Sequence, residues 1–178
     1  MTPADPMAPA STPSLPVIVV MGVCGCGKST LGQALAEALG VAYVEGDALH
    51  PPENVARMAA GTPLTDADRA GWLDRIGERL AEAERTGGGA VVACSALKRI
   101  YRDRLRAAAP TLRLVHLHGD PALLAARMAQ RTGHYMPPTL LPSQLQILES
   151  PTPDEAAILL DSATPADALV SQAVQALR

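Results

Sequence analysis

The chain has 178 residues, 48% of them hydrophobic but only 2% aromatic, with no Phe and a formal net charge of −3. That length suits one domain, with a core of Leu, Val, Ile, Ala and Met. A weakly acidic surface without stacking rings argues against nucleic acid as partner, and the lack of any apolar run of spanning length argues against a membrane.

Residues 1–14, MTPADPMAPASTPS, hold four prolines, no basic residue and no apolar stretch. They read as a disordered Pro/Ala-rich leader, not a signal peptide. The folded domain is expected over 15–178. Val17–Met21 is an unbroken, β-branched apolar run, which reads as a buried central strand. Gly22-Val-Cys-Gly-Cys-Gly-Lys28-Ser29 follows and fits G-x-x-x-x-G-K-[ST]; Leu31, Leu35 and Leu39 then recur at helical spacing. Strand, glycine loop and helix stand in the order a phosphate-binding loop requires.

Ala42–Glu45 reads as a short second strand ending in Glu45-Gly46-Asp47. Pro51 and Pro52 open a helix to about Ala59. Thr65 caps a long helix to about Arg85, with Asp68 in the capping-box position and a core stripe of Trp72, Ile76 and Leu80. Ala90–Cys94 is the third strand, followed by a basic helix over Lys98–Ala109. Leu112–Leu117 is the fourth strand, with His116 and His118 read as structural. Asp120 and Pro121 start a helix carrying Arg127 and Arg131 on one face. A loop at Gly133–Pro138, a short helix over Thr139–Leu148, a fifth strand at Ala157–Asp161 and a closing helix over Pro165–Leu177 complete the chain. The sum is an α/β fold of the P-loop kinase kind: a five-stranded parallel sheet flanked by helices, with a mobile lid over about 127–142.

The loop composition carries its chemistry. Gly22, Gly25 and Gly27 free the backbone to curl, so that the amides of Val23, Cys24, Gly25, Cys26, Gly27, Lys28, Ser29 and Thr30 are available to cradle the phosphates of ATP. Lys28 supplies a cation at the β/γ-phosphates and the Ser29 hydroxyl a ligand for Mg²⁺. Cys24-x-Cys26 is too close for zinc spacing. Its place at a helix N-terminus suggests lowered thiol pKa values, with simple space filling as the alternative. Three cysteines, an odd number, suit a reducing, cytoplasmic setting.

Asp47 lies past the carboxyl end of the second strand, where doubly wound sheets place ligands. It suits a base for an acceptor hydroxyl, or a turn cap; Glu45 suits a water-mediated contact to Mg²⁺. Arg57, Lys98 and Arg102 follow the second and third strands and are candidates for an anionic acceptor, or solvated helix charges. Arg127 and Arg131 suit the transferring phosphate when the lid closes. Adenine is expected beside the Ser162–Pro165 loop.

Gly46-Asp-Ala-Leu-His-Pro51, Gly61-Thr-Pro-Leu64, Asp66-Ala-Asp-Arg69, Cys94-Ser-Ala-Leu-Lys98, Tyr101-Arg-Asp103 and the run from Arg131-Thr-Gly-His134 to Gln144 together resemble the gluconate kinases, over about Val17–Asp161. The resemblance implies transfer of the γ-phosphate of ATP to the 6-hydroxyl of D-gluconate, a small sugar acid, by an enzyme that is often a homodimer. It strengthens Lys98 and Arg102 as substrate contacts. It also brings in His134 and Gln144, and His50 as either a substrate contact or a brace. Gly71, where the family often has proline, implies a looser helix start. Alternatives are a shikimate-type or nucleotide kinase, and a nucleotide-dependent switch or binding module.

Overall fold

The computed structural model describes residues 13–178, so the leader expected over 1–14 lies almost wholly outside the described residues. Five parallel strands are ordered β2-β3-β1-β4-β5, with β1 (Val17–Met21) in the middle, β2 (Ala42–Glu45) and β5 (Ile158–Asp161) at the edges, and β3 (Ala90–Ala93) and β4 (Arg113–His118) between. Every residue of β1 is buried. Its alternation feeds both faces: Ile18 and Val20 pack on one side with Leu31, Leu35, Val91 and Val115, whereas Val17, Val19 and Met21 pack on the other with Trp72, Ile76, Leu80 and Leu114. A central strand covered on both faces has no polar side to show, hence the unbroken apolar run.

Helix α1 (Lys28–Leu39) and α7 (Ala166–Leu177) cover the first face; α3 (Asp66–Thr86) and α4 (Arg99–Ala108) cover the second. Between β2 and α3 come a 3₁₀ turn at Gly46–Leu49 and helix α2 (Pro52–Ala59); α5 (Pro121–Gln130) follows β4. The single helix expected over Thr139–Leu148 divides into a 3₁₀ turn at Pro138–Leu140 and α6 (Leu141–Ile147). Pro142 lacks the amide a continuous helix would use there.

Helix α3 begins on the expected capping box: Asp68 N donates to Thr65 Oγ1 at 3.1 Å, and Thr65 N to Asp68 Oδ2 at 2.9 Å. The looser start expected at Gly71 is not found; the helix runs unbroken through it. Capping at both ends of the first turn outweighs one glycine. No helix among the described residues is long and apolar enough to cross a membrane.

Candidate active site

The carboxyl ends of the strands carry the loops that form the site. Gly22 closes β1 with φ 150°; a Cβ there would sit 2.5 Å from the Leu117 carbonyl oxygen. Gly27, at φ 96°, turns the chain into α1. The loop walls a cavity of about 330 Å³, together with Asp47, Ser95, Arg127, Arg131, His134 and Gln144. Lys28 Nζ folds back to the Val23 carbonyl at 3.0 Å. Burial would lower its pKa, but Cys26 first and then Asp47 outweigh that and raise it.

Ser29 Oγ donates to Glu45 Oε2 at 2.5 Å, and the Tyr43 hydroxyl donates to the same oxygen at 2.7 Å. A hydroxyl and a carboxylate beside a phosphate cradle are hard oxygen donors of the kind Mg²⁺ takes. No cluster of three or more His, Cys, Asp or Glu side chains able to hold a metal occurs among the described residues. Mg²⁺ carried by phosphates, water and one or two protein oxygens requires none.

Asp47 lies across the cavity, its side chain 21% exposed. Burial pushes its carboxyl above the usual range; Lys28 and Arg131 pull it down and Glu45 pushes it up. His134 Nδ1 accepts from the Met136 amide at 3.1 Å, and His134 Nε2 stands 4.0 Å from Asp47 Oδ2. Burial, with help from Arg131, lowers the His134 pKa. A neutral ring whose Nδ1 accepts carries its proton on Nε2, so His134 presents a donor toward Asp47.

Arg127 Nη2 donates to the Ser162 carbonyl at 2.8 Å, tying α5 to the loop after β5. Between that loop and the phosphate loop lies a depression walled by Thr164, Pro165 and Leu169, where adenine is expected. Arg131 Nη1 rests against Met128 Sδ at 3.0 Å and lines the phosphate cavity.

A second cavity, about 200 Å³, adjoins the first and shares Gln144 with it. Gln144 Oε1 accepts from the Cys24 amide at 2.7 Å, which places α6 directly on the phosphate loop. Lys98 reaches this second cavity, paired with Asp66 at 2.9 Å.

Three expected substrate contacts are placed elsewhere. Arg102 is fully buried and spends its guanidinium on Glu155 and on the Ala96 and Leu97 carbonyls. His50 stacks on Trp72 at 4.1 Å between ring centroids, with Asn54 beside its Nδ1, and burial lowers its pKa to about 4; it is the brace. Arg57 is 53% exposed, pairs with Asp68 at 3.3 Å and lines neither cavity. The Cys24 thiol follows the space-filling reading. All three cysteines are free and buried; burial pushes Cys24 up and Cys94 up to about 12, overriding the pull of Lys28. Cys24 and Cys94 thus fill space rather than form thiolates.

Several residues that line the cavities were not among the candidates, Ser95 and Arg69 with them, although both stand inside the quoted motifs. Ser95 was hidden in a short loop; its carbonyl accepts from the Gly22 amide at 3.3 Å. Arg69 lines the second cavity. It sits three and seven residues before Trp72 and Ile76, on the apolar stripe of α3, and an arginine on the buried stripe of a helix is the sign that would have exposed it.

A phosphate loop between a central parallel strand and its helix, with a carboxylate and two arginines facing it, defines a P-loop phosphotransferase. A family described as AAA domain matches residues 17–146. The gluconokinase of Gluconobacter oxydans is 47% identical over 158 residues, 89% of each chain. The thermoresistant gluconokinase of Escherichia coli is 36% identical over 163 residues, 91% of this chain and 93% of that one. The crystal structure of a gluconokinase from Sinorhizobium meliloti superposes with TM-score 0.83 at 51% identity, covering 93% of both chains. The chain belongs to the gluconokinase family.

Proposed function

We propose that this protein transfers the γ-phosphate of ATP to the 6-hydroxyl of D-gluconate. The observation that carries the reading is the facing pair in one cavity: Lys28 on the phosphate loop and Asp47 past the end of β2. The loop amides and Lys28 hold the phosphates. Asp47 orients the acceptor hydroxyl and takes its proton, and His134 Nε2–H donates to the same region. Arg127 and Arg131 stabilise the charge that develops on the transferring group. Because phosphoryl transfer asks mainly for positioning and charge stabilisation, Asp47 has no need of strong basicity.

Ser29 and Glu45 would hold Mg²⁺, Glu45 through water. The metal supplies charge neutralisation at the phosphates when bound. The segment 127–142, which brings Arg127, Arg131 and His134 over the cavity, acts as the lid. A homodimer is the assembly the family resemblance implies, and a cytoplasmic location is supported by three free thiols.

The test is ATP consumption with gluconate, shikimate and AMP as acceptors, with Lys28→Ala as the blank. Turnover on gluconate alone is the expected result. A brisk rate on shikimate or AMP with none on gluconate would overturn the reading.

A further inference from the structure

Two arginines are buried on the face of the sheet covered by α3 and α4, and only one has its counter-ion built in. Arg102 meets Glu155. Arg69 is 8% exposed, yet no carboxylate among the described residues lies within ion-pair distance of it. Its Nη1 donates to the Leu64 carbonyl at 2.7 Å and to the Tyr101 hydroxyl at 3.1 Å, leaving Nε and Nη2 without a protein partner. Neither atom is sealed from solvent, since the only sealed and unpaired side-chain polar atoms among the described residues are His116 Nε2 and Ser162 Oγ. Arg69 also lines the second cavity.

Neither neighbouring acid relieves the charge, and Asp68 is paired with Arg57. Asp66 is already paired with Lys98 and accepts from the Tyr101 hydroxyl, which stands between it and Arg69. Two cations thus share one anion. A mostly buried guanidinium with donors left over and no carboxylate of its own is a ready site for an incoming anion.

We propose that Arg69 binds the substrate carboxylate, so that the second cavity is the acid-recognising half of the acceptor site. Nε and Nη2 present the two parallel donors that a carboxylate takes side-on. The position suits the chemistry. In gluconate the carboxylate and the 6-hydroxyl stand at opposite ends of one chain. Arg69 lies in one cavity, Asp47 in the other, and Gln144 lies on the boundary. The site therefore selects hydroxy acids whose carboxylate is remote from the hydroxyl that is phosphorylated, against neutral polyols and amides of the same length. Lys98 at the same cavity adds long-range attraction but stays committed to Asp66.

This rests on the gluconate reading, and the test separates the two. D-gluconamide keeps every hydroxyl and replaces the carboxylate by a neutral amide. The wild type should prefer gluconate over gluconamide in kcat/KM on the order of 100-fold, as charge-assisted bonds would give. Arg69→Gln should lose most of that preference through the KM for gluconate, with the KM for ATP unchanged and activity on gluconamide falling far less than activity on gluconate. Arg69→Lys should recover part of it. An unaltered preference in a folded Arg69→Gln variant would overturn the assignment, while a wild type inactive on gluconate would overturn the reading beneath it. Should Arg69→Gln fail to fold, a crystal structure of the wild type with gluconate decides: the carboxylate on Arg69 supports the proposal, and the carboxylate on any other cation refutes it.

Discussion

Arg102 and Glu155 meet entirely within the protein, Nε to Oε1 at 2.7 Å and Nη2 to Oε2 at 3.0 Å. Arg102 Nη1 also donates to the Ala96 and Leu97 carbonyls, which holds the turn at Ala96, φ 44°. That turn delivers Ser95 to the phosphate cavity and Lys98 to the second. Arg102→Met leaves the Glu155 carboxylate buried with only the half-exposed Arg99 at 3.8 Å and Arg106 at 3.3 Å beside it, and the expected cost is about 3–5 kcal/mol in denaturant unfolding. The double variant Arg102→Met, Glu155→Leu should recover a large part of the loss.

The same pair sets an acid limit. Burial would raise the Glu155 carboxyl, but hydrogen bonds from Arg102 and the Thr152 amide outweigh it and hold the pKa at about 2, against an ordinary 4.5. A depressed carboxyl contributes stability that is complete above the unfolded value and lost as pH falls through the folded one. The melting temperature should therefore drop between about pH 4.5 and pH 2. Glu155→Gln, compared with wild type across that window, should show a shallower fall.

Asp47→Asn keeps the shape and one acceptor oxygen but loses the charge. Gluconate turnover should fall by roughly two to four orders of magnitude, the range for a positioned general base, with MgATP binding unchanged by calorimetry. The raised carboxyl of Asp47 predicts an acid limb in the wild-type kcat/KM profile, activity being lost as pH falls through that pKa; the variant should lack it. A raised carboxyl pKa means that ionised Asp47 opposes folding, so the variant should be no less stable at neutral pH.

Arg131→Ala should lower kcat more than it weakens ATP binding. Charge on the transferring group is greatest in the transition state, and Arg131 has no acidic partner within ion-pair distance among the described residues that would divert it. Steady-state kinetics beside nucleotide titration would show the split; equal losses would mean uniform ground-state binding.

Gly71 lies inside α3, and a Cβ added there meets nothing within 4 Å. Gly71→Ala should stabilise by about 0.5–1 kcal/mol, because the helix tolerates the methyl and the unfolded chain loses freedom. Calorimetry should record a melting temperature higher by roughly 1–4 °C, with turnover unaltered.

The parallel sheet, the phosphate loop and the carboxylates after β2 were legible in the sequence because their causes are local. A strand buried on both faces reads as Val17–Met21, a phosphate cradle demands Gly22, Gly27 and Lys28, and a carboxyl-terminal strand end demands nothing beyond counting to reach Asp47. The arginines are different. Arg57, Arg69 and Arg102 carry the same charge at similar places in helices, and one sequence letter serves for a solvated head, an unpaired buried donor and half of an ion pair. What separates them is a partner far along the chain: Glu155, 53 residues beyond Arg102, neutralises one, and for Arg69 no such residue arrives among the described residues. His50 and Cys24 follow the same rule, since stacking on Trp72 and burial behind the loop decide their protonation. Only tertiary packing sets how much water a charge keeps and which opposite charge replaces it. That Asp47 lines one cavity and Arg69 the other was therefore decided there.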